Sequence, residues 1–214
     1  MIQKVLKRLP LAMLMIGKRR SGKTHLLIRM LNSKYFKENF DTIYVFSPTV
    51  NLDKTWDAIN NEEVVLYDEY DESTINDILK IQEITHESKR QNVLIILDDL
   101  AEKLKGKRGN VLEMLATKGR HFNASFIFTS QKYNSVPTII RNNSDEMIFF
   151  KVSNNQELKT IVDEQDSSDL KSVGGFENLL NNNTKGYDYL LIVKGKEDKY
   201  FRGNKLEFVK LKIN

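Results

Sequence analysis

The chain has 214 residues, of which 40% are hydrophobic and 29% are charged, with a formal net charge of +4. No apolar run approaches the roughly 20 residues that are needed to cross a bilayer, so we expect a soluble protein with no membrane partner. The sequence contains no cysteine, which excludes disulfide bonds and thiolate metal sites. The basic charge permits an anionic partner such as nucleic acid but does not select one by itself.

The first predicted element is a short strand over residues 11–16. A glycine-rich turn follows at 17–24, and a helix with apolar residues at helical spacing is predicted over 25–36. Basic residues precede the strand, an order that is also found in secretory signals. Because the apolar run is short and leads straight into the turn, a buried strand is the better interpretation.

Strands and helices continue to alternate along the chain. Runs of β-branched, aromatic or uniformly apolar residues predict six further strands, at 42–46, 64–67, 93–97, 125–129, 146–152 and 187–193. Helical apolar spacing predicts helices at 71–89 and 111–118, and a turn at 195–198 predicts a hairpin ending in a strand at 199–202. This order implies a three-layer α/β fold with a mainly parallel central sheet and a C-terminal β-hairpin. No repeat or linker interrupts it, so we expect a single domain over residues 1–214.

Residues 17–24 match the phosphate-loop pattern G-x-x-x-x-G-K-[ST] in full. The glycines let the backbone curl around phosphate, so that successive N–H groups and the start of the next helix face the negative charge. Lys23 would reach the β- and γ-phosphates of ATP, and the Thr24 hydroxyl would bind a magnesium ion (Mg2+). A glycine turn with a surface lysine is the alternative, which the position between strand and helix disfavours. The predicted nucleotide-binding residues are Gly17, Lys18, Arg19, Arg20, Ser21, Gly22, Lys23 and Thr24.

Polar residues follow two of the predicted parallel strands. Asp98 and Asp99 come directly after 93–97; Asp98 would hold Mg2+, and Asp99 would orient and deprotonate the attacking water. Adjacent aspartates also start helices, and the two roles are compatible. Gln131 follows the strand at 125–129, where an amide can sense the γ-phosphate, although polar residues after strands are also ordinary loop sequence. Ligands of α/β sheets bind at the carboxyl ends of strands, so these residues should meet the phosphate loop in one crevice.

Basic residues outside the phosphate loop provide two further hypotheses. Arg120 and Arg141 are candidate arginine fingers, because charge on the phosphoryl oxygens in the transition state requires a rigid cation. A surface charge near a helix end is the alternative for each of them. A basic loop, for which a solvated face is the alternative, would contact DNA phosphates independently of base sequence through Lys103, Lys105, Lys107 and Arg108.

Four motifs resemble the FtsK/HerA superfamily of DNA-pumping ATPases, and within it the packaging ATPases of poxvirus-like large DNA viruses, virophages and related icosahedral viruses. They are GKRRSGKT, VLIILDDL, KGRHFNASFIFTSQ and IIRNNSDEMIFFKVSN, and their order and spacing agree over about residues 11–165. The resemblance implies a RecA-like (ASCE) P-loop NTPase fold. It also implies that Gln131 senses the γ-phosphate, and that Arg120 or Arg141 acts on ATP bound by a neighbouring subunit.

The function implied by this resemblance is ATP hydrolysis, with Mg2+, coupled to translocation of double-stranded DNA into a preformed viral capsid. Family members form rings, usually pentamers or hexamers, so the implied partners are double-stranded DNA, further copies of the chain, and capsid or portal proteins. The expected location is the host cytoplasm, a viral factory or the virion. Many members carry Asp-Glu where this chain has Asp98-Asp99, and aspartate has the shorter reach. A nucleoside or nucleotide kinase and a non-translocating ATPase switch such as a helicase loader are the alternatives, although the acidic pair with Gln131 favours hydrolysis.

Overall fold

The computed structural model describes residues 4–6, 8–104 and 110–213. Its centre is a single sheet of nine strands. In chain order these are β1 (Ala12–Ile16), β2 (Thr42–Phe46), β3 (Val64–Tyr67), β4 (Val93–Leu97), β5 (Ala124–Ser130), β6 (Glu146–Phe149), β7 (Tyr189–Val193), β8 (Lys199–Asn204) and β9 (Glu207–Lys210). Across the sheet their order is β3-β2-β4-β5-β1-β6-β7-β8-β9.

The sheet is parallel from β3 to β6 and antiparallel beyond it. All pairs among β1 to β6 are parallel, and β7, β8 and β9 each add an antiparallel strand. The predicted mainly parallel sheet with a C-terminal hairpin is therefore confirmed. Every residue of β4 and β5 is buried, because central parallel strands are covered on both faces.

Helices cover both faces of the sheet, which gives the three predicted layers. They are α1 (Lys23–Leu31), α2 (Lys34–Asn39), α3 (Glu72–Ile84), α4 (Ala101–Leu104), α5 (Asn110–Lys118), α6 (Thr138–Asn142), α7 (Asn155–Gln165) and α8 (Gly175–Asn183). One core cluster packs α1 and α2 against the sheet, and a second packs α3, α5, α7 and α8 against the opposite face. Within the described part of the chain, no helix has both the length and the hydropathy required to cross a bilayer.

Two predicted helices have different bounds in the structure. The helix predicted over 25–36 is two helices, α1 and α2, because Asn32 ends the first and the Ser33 side chain accepts the Phe36 N–H at the start of the second. The helix predicted over 71–89 ends at Ile84. Arg90 Nε donates to the backbone carbonyl of Gln82, in the last turn of the helix, over 2.8 Å. It also donates to the backbone carbonyl of Thr85, just after the helix, over 3.0 Å.

The C-terminal third contains the largest errors of the sequence interpretation. The strand predicted over 146–152 ends at Phe149, and the strand predicted from residue 187 begins at Tyr189. The helices α7 and α8 and the edge strand β9 were not predicted. In α8 a run of asparagines obscures the pattern, but its apolar residues Phe176, Leu179 and Leu180 have helical spacing and are buried in the core.

A carboxyl group is buried within the sheet at the first residue of β6. Glu146 is 3% exposed. Burial and, to a smaller extent, nearby Asp145 raise the pKa of Glu146, whereas a hydrogen bond with the Ala12 backbone and the charge of Arg8 lower it; the net pKa is about 8. In the unfolded chain this carboxyl group would lose its proton near the ordinary value of 4.5. The folded state therefore binds more protons than the unfolded state between these two pH values.

We expect the free energy of unfolding to fall as pH rises from about 4.5 to about 8, because the unfolded chain can ionise Glu146 more easily. Replacing this residue by a neutral isostere, Glu146→Gln, should remove a few kcal/mol of that decline, which denaturant unfolding at a series of pH values would measure. Glu207→Gln makes the same change on the exposed position of β9 and should leave the decline in place. An unchanged pH profile in Glu146→Gln would contradict the assignment.

Candidate nucleotide-binding site

The phosphate loop joins β1 to α1 at the carboxyl edge of the sheet. The Gly17 N–H donates to the Ser130 carbonyl over 3.1 Å, which fixes the start of the loop against β5. A Cβ atom at Gly17 would lie 2.5 Å from Ser21 Oγ and 2.8 Å from Phe150 Cβ. Gly22 precedes α1 with φ of 101°, a left-handed conformation that favours glycine. Both glycines of the motif are thus required by the local geometry.

Lys23 crosses the mouth of the loop. Its Nζ donates to the Gly17 carbonyl over 2.7 Å and lies 3.8 Å from Asp99 Oδ1, and its side chain is 6% exposed. Burial lowers the pKa of Lys23, and the carboxylates of Asp99 and Asp98 oppose that effect. A desolvated ammonium group attracts an anion more strongly than an exposed one. The geometry therefore suits Lys23 to hold a phosphate that enters the loop.

Asp98 lies at the end of β4 and is held by hydroxyl groups from two neighbouring strands. Thr129 Oγ1 donates to its Oδ1 over 2.6 Å, and Ser47 Oγ donates to its Oδ2 over 2.8 Å. Burial raises the pKa of Asp98, and these two hydroxyl groups and the Lys23 ammonium act in the opposite direction. The carboxylate is thus held in one orientation, with lone pairs still free to bind a cation.

Asp99 and Gln131 face each other across the same edge. Gln131 Nε2 donates to Asp99 Oδ2 over 3.0 Å, and the Asp99 N–H donates to Thr129 Oγ1 over 3.2 Å. Asp99 has φ of 50°, a left-handed conformation that non-glycine residues rarely adopt and that occurs at functional sites. Asp99 Oδ1 and Ser21 Oγ are two of the three buried side-chain polar atoms of the described residues that have no hydrogen-bond partner. Both atoms are suitable partners for a bound polar ligand.

An open cavity of about 1340 Å³ lies beside the loop. The predicted residues 19–24, Asp99 and Gln131 form part of its lining. Much of the remaining wall comes from two regions that the sequence interpretation did not connect with the site, the segment after β2 and the residues around β7 and β8. They include Leu52, Asp53, Lys185, Tyr187, Asn204 and Lys205.

The candidate arginine fingers lie away from this cavity. Arg120 is exposed in the 3₁₀ helix Gly119–Phe122, which precedes β5 and so lies at the opposite edge of the sheet from Gln131. Arg141 is on α6, with its Nη2 3.3 Å from Glu164 Oε1 and its guanidinium 4.9 Å from the Tyr133 ring centroid. Neither arginine lines the cavity beside the phosphate loop.

The predicted basic loop is only partly described. Lys103 is exposed on α4, whereas Lys105, Lys107 and Arg108 lie outside the described residues. Lys18, Arg19 and Arg20 are exposed, and Arg19 and Arg20 also line the cavity. Thr24 is half-buried and lines the cavity.

Comparisons with known proteins place the chain in a family. A family model described as Poxvirus A32 protein matches residues 2–205. The chain belongs to the Poxvirus A32 protein family. The predicted resemblance to packaging ATPases of the poxvirus type is thereby confirmed.

Individual relatives of this A32-family chain agree with the fold. Uncharacterized protein 075L of Invertebrate iridescent virus 6 is 32% identical over 98 residues, a region that spans 45% of this chain and 38% of that protein. The genome packaging NTPase B204 from Sulfolobus turreted icosahedral virus 2, in complex with ATP-gammaS, has a TM-score of 0.65 at 17% identity and covers 93% of this chain and 100% of its own. The cytoplasmic domain of the Thermomonospora curvata Type VII secretion ATPase EccC has a TM-score of 0.63 at 13% identity, covering 90% of this chain and 25% of its own. At these identities the two structures establish the fold.

The hydroxyl groups that orient Asp98 were missed by the sequence interpretation. Ser47 directly follows the predicted strand at 42–46, and Thr129 is the last residue of the predicted strand at 125–129. A usable signal was present, because both are small hydroxyl residues at the carboxyl ends of strands that flank β4. Pairing β2 and β5 with β4 is enough to bring them to the acidic pair.

The residues of this A32-family site are suited to a magnesium ion. Mg2+ prefers hard oxygen ligands, and it commonly binds through one or two carboxylates together with the phosphates of its substrate. The Asp98 carboxylate is buried and oriented by two hydroxyl donors, as expected of a metal ligand with outer-shell support. Together with the Thr24 hydroxyl it would supply the protein ligands.

Thr129→Val keeps the shape of the side chain but removes the hydroxyl that donates to Asp98. We expect it to lower the ATPase rate or the apparent affinity for Mg2+ by about 10–100-fold, the usual effect of losing an outer-shell partner of a metal ligand. Titrating ATPase activity with Mg2+ measures both quantities. Thr160→Val is the matched control, since it removes a hydroxyl that bonds the Gln156 carbonyl within α7. Equal Mg2+ dependence in the two variants would contradict the role of Thr129.

Proposed function

We propose that this chain hydrolyses ATP as its Mg2+ complex and uses the energy to move double-stranded DNA into a preformed viral capsid. The main observation behind the proposal is the convergence of residues 17–24, Asp98, Asp99 and Gln131 at one edge of the sheet. Membership of the Poxvirus A32 family and the fold shared with the packaging NTPase B204 support it.

Each residue of the site has a distinct role in this proposal. The main-chain N–H groups of 17–24 and the Lys23 ammonium bind the phosphates, while Thr24 and Asp98 hold Mg2+. Magnesium, when bound, neutralises charge that develops on the phosphate oxygens. Asp99 orients the attacking water and accepts its proton, and its Oδ1, which has no hydrogen-bond partner, is the atom available for that contact. Gln131 holds the other oxygen of Asp99 and is placed to respond to the γ-phosphate.

An arginine from a neighbouring subunit completes the site. Arg120 and Arg141 both lie away from the phosphate loop of their own chain. This placement suits action on ATP that is bound by the neighbouring subunit of a pentameric or hexameric ring. Arg120 is exposed, whereas Arg141 would first have to leave Glu164, 3.3 Å away. Of the two, Arg120 therefore needs the smaller rearrangement to reach a partner.

DNA is the proposed polymer substrate, and the basic loop is its proposed contact. Lys103, with Lys105, Lys107 and Arg108 next to it in sequence, would bind backbone phosphates regardless of base sequence. Capsid or portal proteins are the other proposed partners. Activity would then take place in the host cytoplasm, a viral factory or the virion.

Two substitutions separate nucleotide binding from hydrolysis. Lys23→Ala should abolish hydrolysis and weaken ATP binding, because the desolvated ammonium is lost. Asp99→Asn should keep ATP bound while slowing turnover by about 10²–10⁴-fold, since the amide cannot accept the proton. Phosphate release and nucleotide titration measure the two effects, with the exposed Lys34→Ala as control. Normal turnover in either site variant would refute the role given to that residue.

The DNA-pumping part of the proposal is tested by the salt dependence of stimulation. Long double-stranded DNA should raise the ATPase rate, and the stimulation should weaken between about 50 and 200 mM salt as counterions compete for the phosphates. Replacing the four basic-loop residues together by alanine should reduce the stimulation. A matched variant would lose the exposed lysines Lys34, Lys80, Lys159 and Lys196 instead. A flat response to DNA at both salt concentrations would count against translocation.

A further inference from the structure

A large aromatic side chain stands at the mouth of the nucleotide cavity without a role in the proposed chemistry. Tyr187 lies between α8 and β7 and is 72% exposed. Its ring is next to the phosphate loop, because a Cβ atom built on Gly22 would lie 3.4 Å from Tyr187 Cδ1. It lines the same cavity as residues 19–24. An exposed apolar group that faces a cavity is more informative than one on a convex surface.

The backbone that presents this ring is firmly anchored. The next residue, Asp188, is 6% exposed. Its carboxylate accepts hydrogen bonds from Arg202 Nε over 2.9 Å and from Asn204 Nδ2 over 2.7 Å, and it forms an ion pair with the Arg202 guanidinium. The Asp188 N–H donates to the Lys185 carbonyl over 3.0 Å. These bonds fix the turn on which Tyr187 sits.

The following residue adds a second anchor. The Tyr189 ring is 1% exposed and packs 5.4 Å from the Phe150 centroid, and its hydroxyl donates to the Lys205 carbonyl. Phe150 in turn packs directly under the first glycine of the phosphate loop, where its Cβ would be 2.8 Å from a Cβ at Gly17. Phe150 therefore connects the phosphate loop with the turn that carries Tyr187, and the three pack together.

The Tyr187 ring lies in the part of the cavity that the sugar and base of a bound nucleotide would occupy. A nucleotide whose phosphates occupy the loop must place its sugar and base in the adjoining cavity, where Tyr187 presents an exposed phenol ring. Stacking of a base on an aromatic ring contributes about 1–3 kcal/mol. We propose that Tyr187 is the stacking surface for the base of the bound nucleoside triphosphate, an inference that rests on the proposed function.

Stacking on Tyr187 would discriminate only weakly between nucleotide bases. Stacking uses the face of the base, which every base possesses, and does not read its hydrogen-bonding edge. The site should therefore accept ATP and GTP with KM values that differ by less than about tenfold.

Nucleotide affinity in variants of this one residue tests the proposal. Tyr187→Ala should weaken binding of the ATP complex by about 5- to 150-fold, which is the stacking free energy expressed as an affinity ratio. Tyr187→Phe retains the ring and should restore affinity to within about twofold of the parent chain. Inorganic tripolyphosphate has no base, so its inhibition constant should be the same in all three proteins. Because the side chain is mostly exposed, thermal unfolding should show that Tyr187→Ala remains folded.

Three outcomes would overturn the proposal. Unchanged ATP affinity in Tyr187→Ala would show that the ring does not contact the base. Equal weakening of ATP and tripolyphosphate would show that the ring acts by supporting Gly22. Unchanged ATP affinity with weaker DNA binding would assign the ring to DNA. If the parent chain bound ATP but showed no stimulation by DNA, only the proposed function would fail; if it bound no ATP, both would fail.

Discussion

The register of the parallel strands is the constraint on which the site depends. The residue pairs Ile16 with Ser130 and Phe46 with Leu97 align the ends of four strands at one edge. The next residues of these four strands are Gly17, Gln131, Ser47 and Asp98. A shift of one residue between β2 and β4 would turn Ser47 to the opposite face and leave a buried carboxylate with one hydroxyl donor. The central core of the sheet and the chemistry of the site therefore depend on the same backbone hydrogen bonds.

A buried ammonium group and a buried carboxylate group lie close together at this edge of the sheet. Lys23 and Asp98 are both buried. Burial lowers the pKa of Lys23 and raises the pKa of Asp98, which favours the neutral form of each side chain, and the opposite charge of the other residue counteracts this effect. A magnesium–phosphate complex presents the complementary charges to both groups. The charges of the site are thus complementary to those of the proposed ligand, and its polar groups are already oriented before binding. Catalysis by fixed dipoles depends on such prior orientation.

The sequence predicted the parts of the molecule in which local pattern and tertiary structure agree. The uniformly apolar β4, the largely apolar β5, the glycine loop and the acidic pair were all placed correctly, because a buried parallel strand and a phosphate loop each have a strong local signature. Local pattern is weaker after about residue 150, where helices rich in polar residues bury few side chains, and α7, α8 and β9 were missed. Ser47 was not assigned because its contact with Asp98 depends on the order of the strands. Tyr187 was not assigned because it meets the phosphate loop from a distant part of the sequence, and short-range spacing encodes neither relationship.

The central claim is that residues 17–24 and the acidic edge opposite them bind ATP together with Mg2+. Calorimetric titration of the folded chain with a slowly hydrolysed ATP analogue, with and without Mg2+, tests it most directly. We expect saturable binding at one site per chain, tighter when Mg2+ is present and much weaker in Lys23→Ala. Absence of binding heat from well-folded protein at several temperatures, or binding that is the same in Lys23→Ala, would contradict it.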